Sequence, residues 1–187
     1  MRIISGISKG KKIFEPKDLN TRPLKDLTKE SIFNILAHSN KFSVRLKNSN
    51  VLDLFSGVGS FGLECLSRGS SNLTFVENYK NVLPILKKNI SNLNYQRSSI
   101  VVEHNIIDDL NFKTLEKKFD IIFMDPPYKE KSLSSILINI IESDILNHKG
   151  IIIIHRHKKE KDKFPEKFKI IEEKTYGISR VIFGSCF

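Results

Sequence analysis

Val51-Leu52-Asp53-Leu54-Phe55-Ser56-Gly57-Val58-Gly59-Ser60-Phe61-Gly62 is the stretch whose reading decides the fold. The apolar run Val51 to Phe55 has the composition of a buried strand, and Gly57, Gly59 and Gly62 mark a tight turn into a helix that begins near Ser60. Asp53 stands inside that strand. A carboxylate there is costly to bury unless loop amides or a ligand cation satisfy it, so something polar is expected to dock at this turn.

From Asn50 onward apolar runs alternate with helical stretches, the pattern of an open parallel α/β sheet. Strands are expected over Val51 to Phe55, Asn72 to Glu77, Ser99 to Glu103, Phe119 to Asp125 and Gly150 to His155. Helices are expected near Ser60 to Ser67, Lys80 to Leu93, Asp108 to Lys117 and Leu133 to Ser143. Pro84 belongs in or near the first turn of the second helix, where a missing amide is tolerated. After the charged stretch His155 to Lys169, the runs Phe168 to Glu172 and Arg180 to Gly184 read as a closing antiparallel hairpin at the sheet edge.

Ahead of the sheet, Arg2 to Gly6 and Gly10 to Phe14 are two short β-prone runs around a basic turn, a hairpin with Lys9, Lys11 and Lys12 crowding its tip. Leu24 to His38 reads as a helix packed on the sheet, with Leu27, Ile32, Phe33, Ile35 and Leu36 on its apolar side and Lys25, Lys29 and Glu30 left polar. A polar, basic connection follows over Ser39 to Asn50. No internal repeat or low-complexity linker divides the chain, so residues 1–187 read as one domain, with 1–49 an N-terminal extension and 50–187 the core.

A chain of 187 residues with 40% hydrophobic content is large enough for a core of its own. No unbroken apolar run exceeds four residues, as in Ile151 to Ile154, whereas a bilayer span needs ~18. Met1 to Ser5 lacks the apolar region of a signal peptide, and a soluble, cytoplasmic protein is expected. Cys65 and Cys186 fit no metal spacing and no disulfide framework, so both are expected to be reduced. The net charge of +10 favours a polyanionic partner through phosphate neutralisation, although a lysine-rich solvated surface alone produces the same figure.

Gly57-Val58-Gly59-Ser60-Phe61-Gly62 is literally G-x-G-x-x-G between a strand and a helix, which makes a dinucleotide the first ligand to weigh. Asp53 argues against it. A pyrophosphate on this turn would meet a carboxylate, whereas a cationic amino-acid group, such as that of S-adenosylmethionine, would welcome one. Glu77, one βα unit later, is placed to accept both hydroxyls of a ribose. Asp125-Pro126-Pro127-Tyr128 supplies the second signal: two prolines at a strand end set a rigid turn at the carboxyl edge of the sheet and leave their carbonyls as acceptors. An exocyclic amine could donate to Asp125 and to the Pro126 carbonyl while Tyr128 stacks on the base. Those two acceptors would turn the nitrogen lone pair towards a methyl sulfonium, and no metal is required.

The pairing of DLFSGVGSFGLE with DPPY resembles class I S-adenosylmethionine-dependent N-methyltransferases, whose fold is a Rossmann-like, seven-stranded, mostly parallel sheet. The resemblance extends along the chain through Arg2-Ile3-Ile4-Ser5-Gly6 with Lys9-Gly10-Lys11, Thr21-Arg22-Pro23, Lys29 to Leu36, Glu64 to Gly69, Phe75-Val76-Glu77 and the Tyr176-Gly177 tail. In these segments the sequence is similar to the RsmD family, which implies methylation of the exocyclic N2 of one guanine in 16S rRNA of the small ribosomal subunit. The resemblance implies that Asp53, Ser56, Gly57 and Gly59 line the methionine part of S-adenosylmethionine and that Glu77 binds its ribose. Asn105 falls where the family commonly has an aspartate near the adenine amine, keeping an acceptor oxygen and losing the charge. Asp125, Pro126 and Tyr128 would form the base site, with Pro127 and Arg22 towards the RNA and Lys9, Lys11 and Lys12 positioning it. Leu27 stands where an arginine is common, and His155-Arg156 replaces a frequent Glu-His after the fifth strand.

His155 and His157 share one face of a strand but have no acidic or cysteine third ligand, so a metal site is not expected. With Arg156, Lys158 and Lys159 they read either as a basic rim facing RNA phosphates or as a plain solvated edge. Two rivals of other kinds remain: an adenine-N6 methyltransferase acting on DNA through the same acceptor corner, and a non-catalytic RNA-binding protein on the same scaffold. The chain lacks room for a separate DNA target-recognition domain, and intact Asp53, Glu77 and DPPY speak against lost catalysis. A monomeric enzyme with an RNA or ribosomal-subunit substrate is the expectation.

Overall fold

The computed structural model describes residues 1–16, 24–107, 111–127 and 130–186. After the first helix α1 (Asp26–His38), the chain alternates β1 (Asn50–Leu54), α2 (Ser60–Ser67), β2 (Asn72–Glu77), α3 (Leu83–Asn92), β3 (Ser99–Glu103), β4 (Phe119–Met124), α4 (Leu133–Glu142) and β5 (Leu146–His157). It closes with the hairpin β6 (Phe168–Tyr176) and β7 (Ser179–Cys186). The seven strands form one sheet in the order β3-β2-β1-β4-β5-β7-β6. Strands β1 to β5 are mutually parallel, and β7 runs antiparallel to both β5 and β6. The order reverses between β1 and β4, which opens a crevice at their carboxyl ends where open α/β sheets bind ligands.

The central strands are apolar on both faces because helices cover both. Val51, Phe75, Ile121, Phe123, Ile151 and Ile153 face α1, α2, α3 and the N-terminal hairpin. Leu52, Leu54, Ile122, Met124, Ile152 and Ile154 face α4. Phe61 of α2 carries the first layer inward, stacking on Phe33 with ring centroids 5.2 Å apart and on Phe123 at 3.9 Å.

The N-terminal hairpin forms, with a single Arg2 to Lys12 bridge and amides of Ile3 and Ile13 donating to Lys11 and Met1 carbonyls. It lies along α2 in a fixed register. Lys29 Nζ joins the Arg2 carbonyl (2.9 Å) to Ser60 Oγ (3.3 Å), Glu64 accepts the amides of Ile4 (2.7 Å) and Ser5 (2.9 Å), and the Ser67 carbonyl and hydroxyl accept those of Ile7 and Ser8. Lys29 and Glu64 are fully buried, with Nζ 3.8 Å from Glu64 Oε2. Burial pushes the Lys29 ammonium below its usual pKa against the pull of Glu64 and Asp26.

This arrangement corrects the expected faces of α1. Lys29 occupies the buried stripe with Ile32, Phe33 and Leu36, whereas Leu27 is 79% exposed. Spacings of three, four and seven residues put Lys29 on that stripe, and Glu64 with the Arg2 carbonyl makes the position tolerable to an ammonium. The helix expected over Asp108 to Lys117 is also corrected. Residues 108–110 lie outside the described residues, and Phe112–Leu115 form only a short 3₁₀ turn, started by the Asn111 side chain and ended by Glu116 in the left-handed region. It has one buried anchor, Phe112, and lacks an apolar stripe to extend it.

Strands β5, β6 and β7 run longer than their apolar patterns suggest. β5 begins at Leu146, four residues before Gly150, and its register against β4 shifts between Phe119 and Ile121. β6 continues to Tyr176 through Glu172, Glu173 and Lys174 because it is an edge strand with one neighbour and a solvated face.

Candidate active site

Strand register assembles the site. Asp53 sits opposite Phe123, and the last pair of β4 with β5 is Met124 with Ile154. One step further brings Asp125 beside His155. Because side chains alternate along a strand, Asp53, Phe123, Asp125, Ile153 and His155 all belong to the face covered by α1 and α2. Ile153 stays fully buried, and the others open on a cleft of about 1020 Å³ whose lining includes Asp53, Ser56, Gly57, Glu77, Asp125, Pro126, Pro127 and His155. Met1, Glu15, Pro16, Leu24, Lys25 and Asp26 make its other wall, so the N-terminal extension completes the site.

Asp53 is 1% exposed and accepts the Gly62 amide at 3.0 Å. Burial pushes its carboxyl well above the usual carboxylate range; the Gly62 amide opposes this, and Asp125 and Glu77 add to it. An acid so placed gains from a cationic ligand group. Gly62 permits the close approach, since a Cβ there would meet Leu73 at 2.3 Å, Phe75 at 2.5 Å and Asp53 Oδ2 at 3.0 Å. Gly59, at φ +83°, caps α2 and packs on Leu86 and Phe75 behind the turn rather than lining the cleft.

Glu77 ties the two loops together. Its Oε2 accepts the Gly57 amide at 2.7 Å, and its Oε1 accepts those of Asn78 (2.9 Å) and Tyr79 (2.8 Å). Ser56 Oγ is buried with no hydrogen-bond partner among the described residues, and a Cβ built on Gly57 would enter open space. A free hydroxyl, a glycine facing a void and a carboxylate in want of positive charge fit the amino-acid end of S-adenosylmethionine.

At the other side, His155 Nδ1 lies 2.8 Å from Asp125 Oδ1, and both side chains are largely buried. Arg156 points to the opposite face of β5 and is 1% exposed. The basic rim expected over residues 155–159 is therefore corrected at its centre: His155 belongs to the cleft and Arg156 to the interior, where carbonyls and Asp162 satisfy its donors. Tyr128 and Arg22, expected at the base site and the RNA, lie outside the described residues. Asn105 does not line the cleft, and its Oδ1 accepts the Ile107 amide at 3.1 Å. Lys9, Lys11 and Lys12 are exposed on the hairpin. The register along α2 puts the hairpin tip at the Ser67 end, ~10 Å of helix axis from the cleft. Cys65 is buried and Cys186 half-buried, both as free thiols. Among the described residues no cluster of three His, Cys, Asp or Glu side chains could hold a metal ion, and no helix is long and apolar enough to cross a membrane.

Sheet order, glycine turn and acid-lined crevice together define the class of Rossmann-like methyltransferases. Within that class the chain belongs to the RsmD family: the family model described as conserved hypothetical protein 95 matches residues 1–185. It is 31% identical to ribosomal RNA small subunit methyltransferase D of Haemophilus influenzae, over 95% of this chain and 90% of that protein. Identity to the enzyme of that name from Buchnera aphidicola subsp. Acyrthosiphon pisum is 35%, over 92% and 86% of the two chains. The solved structure of yhhF from Escherichia coli, provisionally assigned as a methyltransferase, superposes with a TM-score of 0.80 at 26% identity, covering 100% of this chain and 97% of that one.

Proposed function

We propose that this protein transfers a methyl group from S-adenosylmethionine to the exocyclic N2 of a guanine in 16S rRNA. The observation that carries the reading is the placement of Asp53, Glu77 and Asp125 around one cleft at the carboxyl ends of β1, β2 and β4. Relatives at 31 and 35% identity that are named as small-subunit rRNA methyltransferases support the RNA substrate, as does a net charge of +10.

When bound, S-adenosylmethionine would supply an electrophilic methyl group, its sulfonium S–C bond breaking to leave the neutral thioether S-adenosylhomocysteine. Asp53 neutralises its ammonium, the Ser56 hydroxyl and the Gly57 loop receive its carboxylate end, and Glu77 accepts from its ribose hydroxyls. Asp125 accepts one hydrogen of the target amine. The Pro127 carbonyl is engaged by Arg156, so the carbonyl this turn offers to the other hydrogen is that of Pro126. Held by two acceptors, the nitrogen has its lone pair turned towards the methyl donor. The proton that nitrogen sheds once methylated leaves along its hydrogen bond to Asp125, whose carboxylate His155 keeps aligned. Tyr128 is assigned to stack on the flipped-out base, and Arg22 and Pro127 to border the RNA.

The test is methyl transfer from labelled S-adenosylmethionine to 30S particles lacking their native methylation, followed by nucleoside analysis. Label in N2-methylguanosine alone is the expected result. Label in N6-methyladenosine, or acceptance only by DNA, would overturn the substrate while leaving the class intact.

A further inference from the structure

Arg156 is a large, fully buried cation that the reaction as described does not use. Its Nη1 donates to the Pro127 carbonyl at 3.1 Å and its Nη2 to the Glu130 carbonyl at 2.9 Å. Its Nε meets Asp162 Oδ1 at 3.0 Å, and Nη2 lies 2.8 Å from the same oxygen. Asp162 is itself held from the far side by Arg180 Nη2 at 2.6 Å. Arg156 and Arg180 are cross-strand partners on β5 and β7, so two guanidiniums share one carboxylate beneath the loop that leaves β4.

A planar guanidinium with all three nitrogens engaged is a rigid fork. Its two carbonyl partners lie three residues apart in the segment that continues from Asp125, one on each side of Tyr128. The neighbouring residue in β5, His155, grips Asp125 from the opposite face of the same strand. Consecutive side chains of one strand end thus hold the acid and the loop beyond it. A buried cation is a weak means of stabilising a sheet, since apolar packing does that as well; tying it to two main-chain carbonyls fixes Pro127 and Glu130 against β5.

We infer that Arg156, anchored by Asp162 and Arg180, is a positioning residue that fixes the Pro127 and Glu130 carbonyls and thereby the Asp125-Pro126 corner of the target-base site. The inference rests on the reading of that segment as the base site. Misplacement of reacting groups by about 1 Å costs on the order of 100-fold in rate, so loss of the fork is expected in turnover rather than in cofactor affinity.

The experiment compares wild type, Arg156→Ala, Arg156→Lys and Asp162→Asn by three readouts: amide hydrogen exchange, calorimetric affinity for S-adenosylmethionine, and kcat with undermethylated 30S particles. Expected for Arg156→Ala is faster exchange confined to the amides of residues 130–132, cofactor affinity within about twofold of wild type, and a kcat lower by roughly 10- to 100-fold. Millimolar guanidinium restores part of that turnover, and Arg156→Lys and Asp162→Asn fall between the extremes. Unchanged exchange in this segment, or exchange and cofactor affinity altered throughout the protein, overturns the inference. If Arg156→Ala does not fold, Asp162→Asn decides by the same criteria. A wild type that binds cofactor yet methylates no RNA, with the segment still loosened in the variants, removes the base-site reading and leaves the positioning of the loop by Arg156 in place.

Discussion

His155 Nδ1 and Asp125 Oδ1 stand 2.8 Å apart, bridging the carboxyl ends of two neighbouring parallel strands. The contact ties one carboxylate oxygen of Asp125, a residue that lines the cleft, and restricts its rotation. Removing such a charge-assisted hydrogen bond costs about 1.5 to 3 kcal/mol, which corresponds to ~10- to 100-fold in rate. His155→Ala is expected to lower kcat by that factor with cofactor affinity unchanged. His155→Gln, which can still donate to Asp125, is expected to recover part of the loss. Single-turnover methyl transfer measures both.

Asp53 links stability to pH. Its folded pKa is raised by burial above an ordinary value near 3.8, so its contribution to stability is fully present below that value and is lost as pH rises through the folded pKa. As pH rises above that ordinary value, ligand-free wild type is therefore expected to lose stability where Asp53→Asn does not. Denaturant melts at a series of pH values check the sign, and calorimetry is expected to find no S-adenosylmethionine binding by the variant.

Gly62 is not among the residues that line the cleft, yet it should control ligand binding. A Cβ there would press on Leu73, Phe75 and the Asp53 carboxylate, and overpacking of this kind costs about 1 to 3 kcal/mol. Gly62→Ala is expected to lower both the melting temperature and cofactor affinity. A variant with wild-type affinity would show that Asp53 is not held where the cofactor needs it.

The Lys29 and Glu64 pair docks the N-terminal extension. Glu64 accepts the Ile4 and Ser5 amides and the Arg68 Nε as well as facing Lys29. Removing one member of a buried ion pair costs about 3 to 5 kcal/mol. Glu64→Ala is expected to show that loss in chemical denaturation. The double variant with Lys29→Met should lose less than the sum, because no lone charge remains buried.

The exposed lysines of the N-terminal hairpin are expected to act on RNA affinity. Reversing Lys9, Lys11 and Lys12 should weaken binding and reduce the salt slope by ~0.7 to 0.9 for each phosphate that is no longer neutralised. Lys9 lies at the turn on the Ser67 end of α2, so kcat of a Lys9→Glu variant at saturating RNA should hold. Filter binding across a salt series measures the first effect and steady-state kinetics the second.

The elements that carry the cofactor side of the cleft were legible because their signals are local. An apolar run with one acid, three glycines at a strand-to-helix turn and an acid ending the next strand each state their chemistry within a few residues, and β1, α2 and β2 fall where that pattern puts them. Phe112 to Leu115 misled because a few polar residues with good helix propensity look alike whether or not a stripe exists to be buried. Glu172 to Lys174 hid the end of an edge strand behind the charges that protect such an edge.

From the sequence alone came the class of fold, the glycine turn, Asp53, Glu77 and the rigid DPPY corner, since hydrophobic periodicity and turn chemistry are properties of neighbouring residues. Only the tertiary structure decided which residues meet across strands. The β4 to β5 register brings His155 to Asp125 and turns Arg156 inward beneath the Pro127 and Glu130 carbonyls. The packing of α1 on α2 likewise buries Lys29 and leaves Leu27 in solvent. The reason is physical: a buried charge is stable only where partners distant in the chain satisfy it, and a linear pattern of apolar and polar residues carries no record of who those partners are.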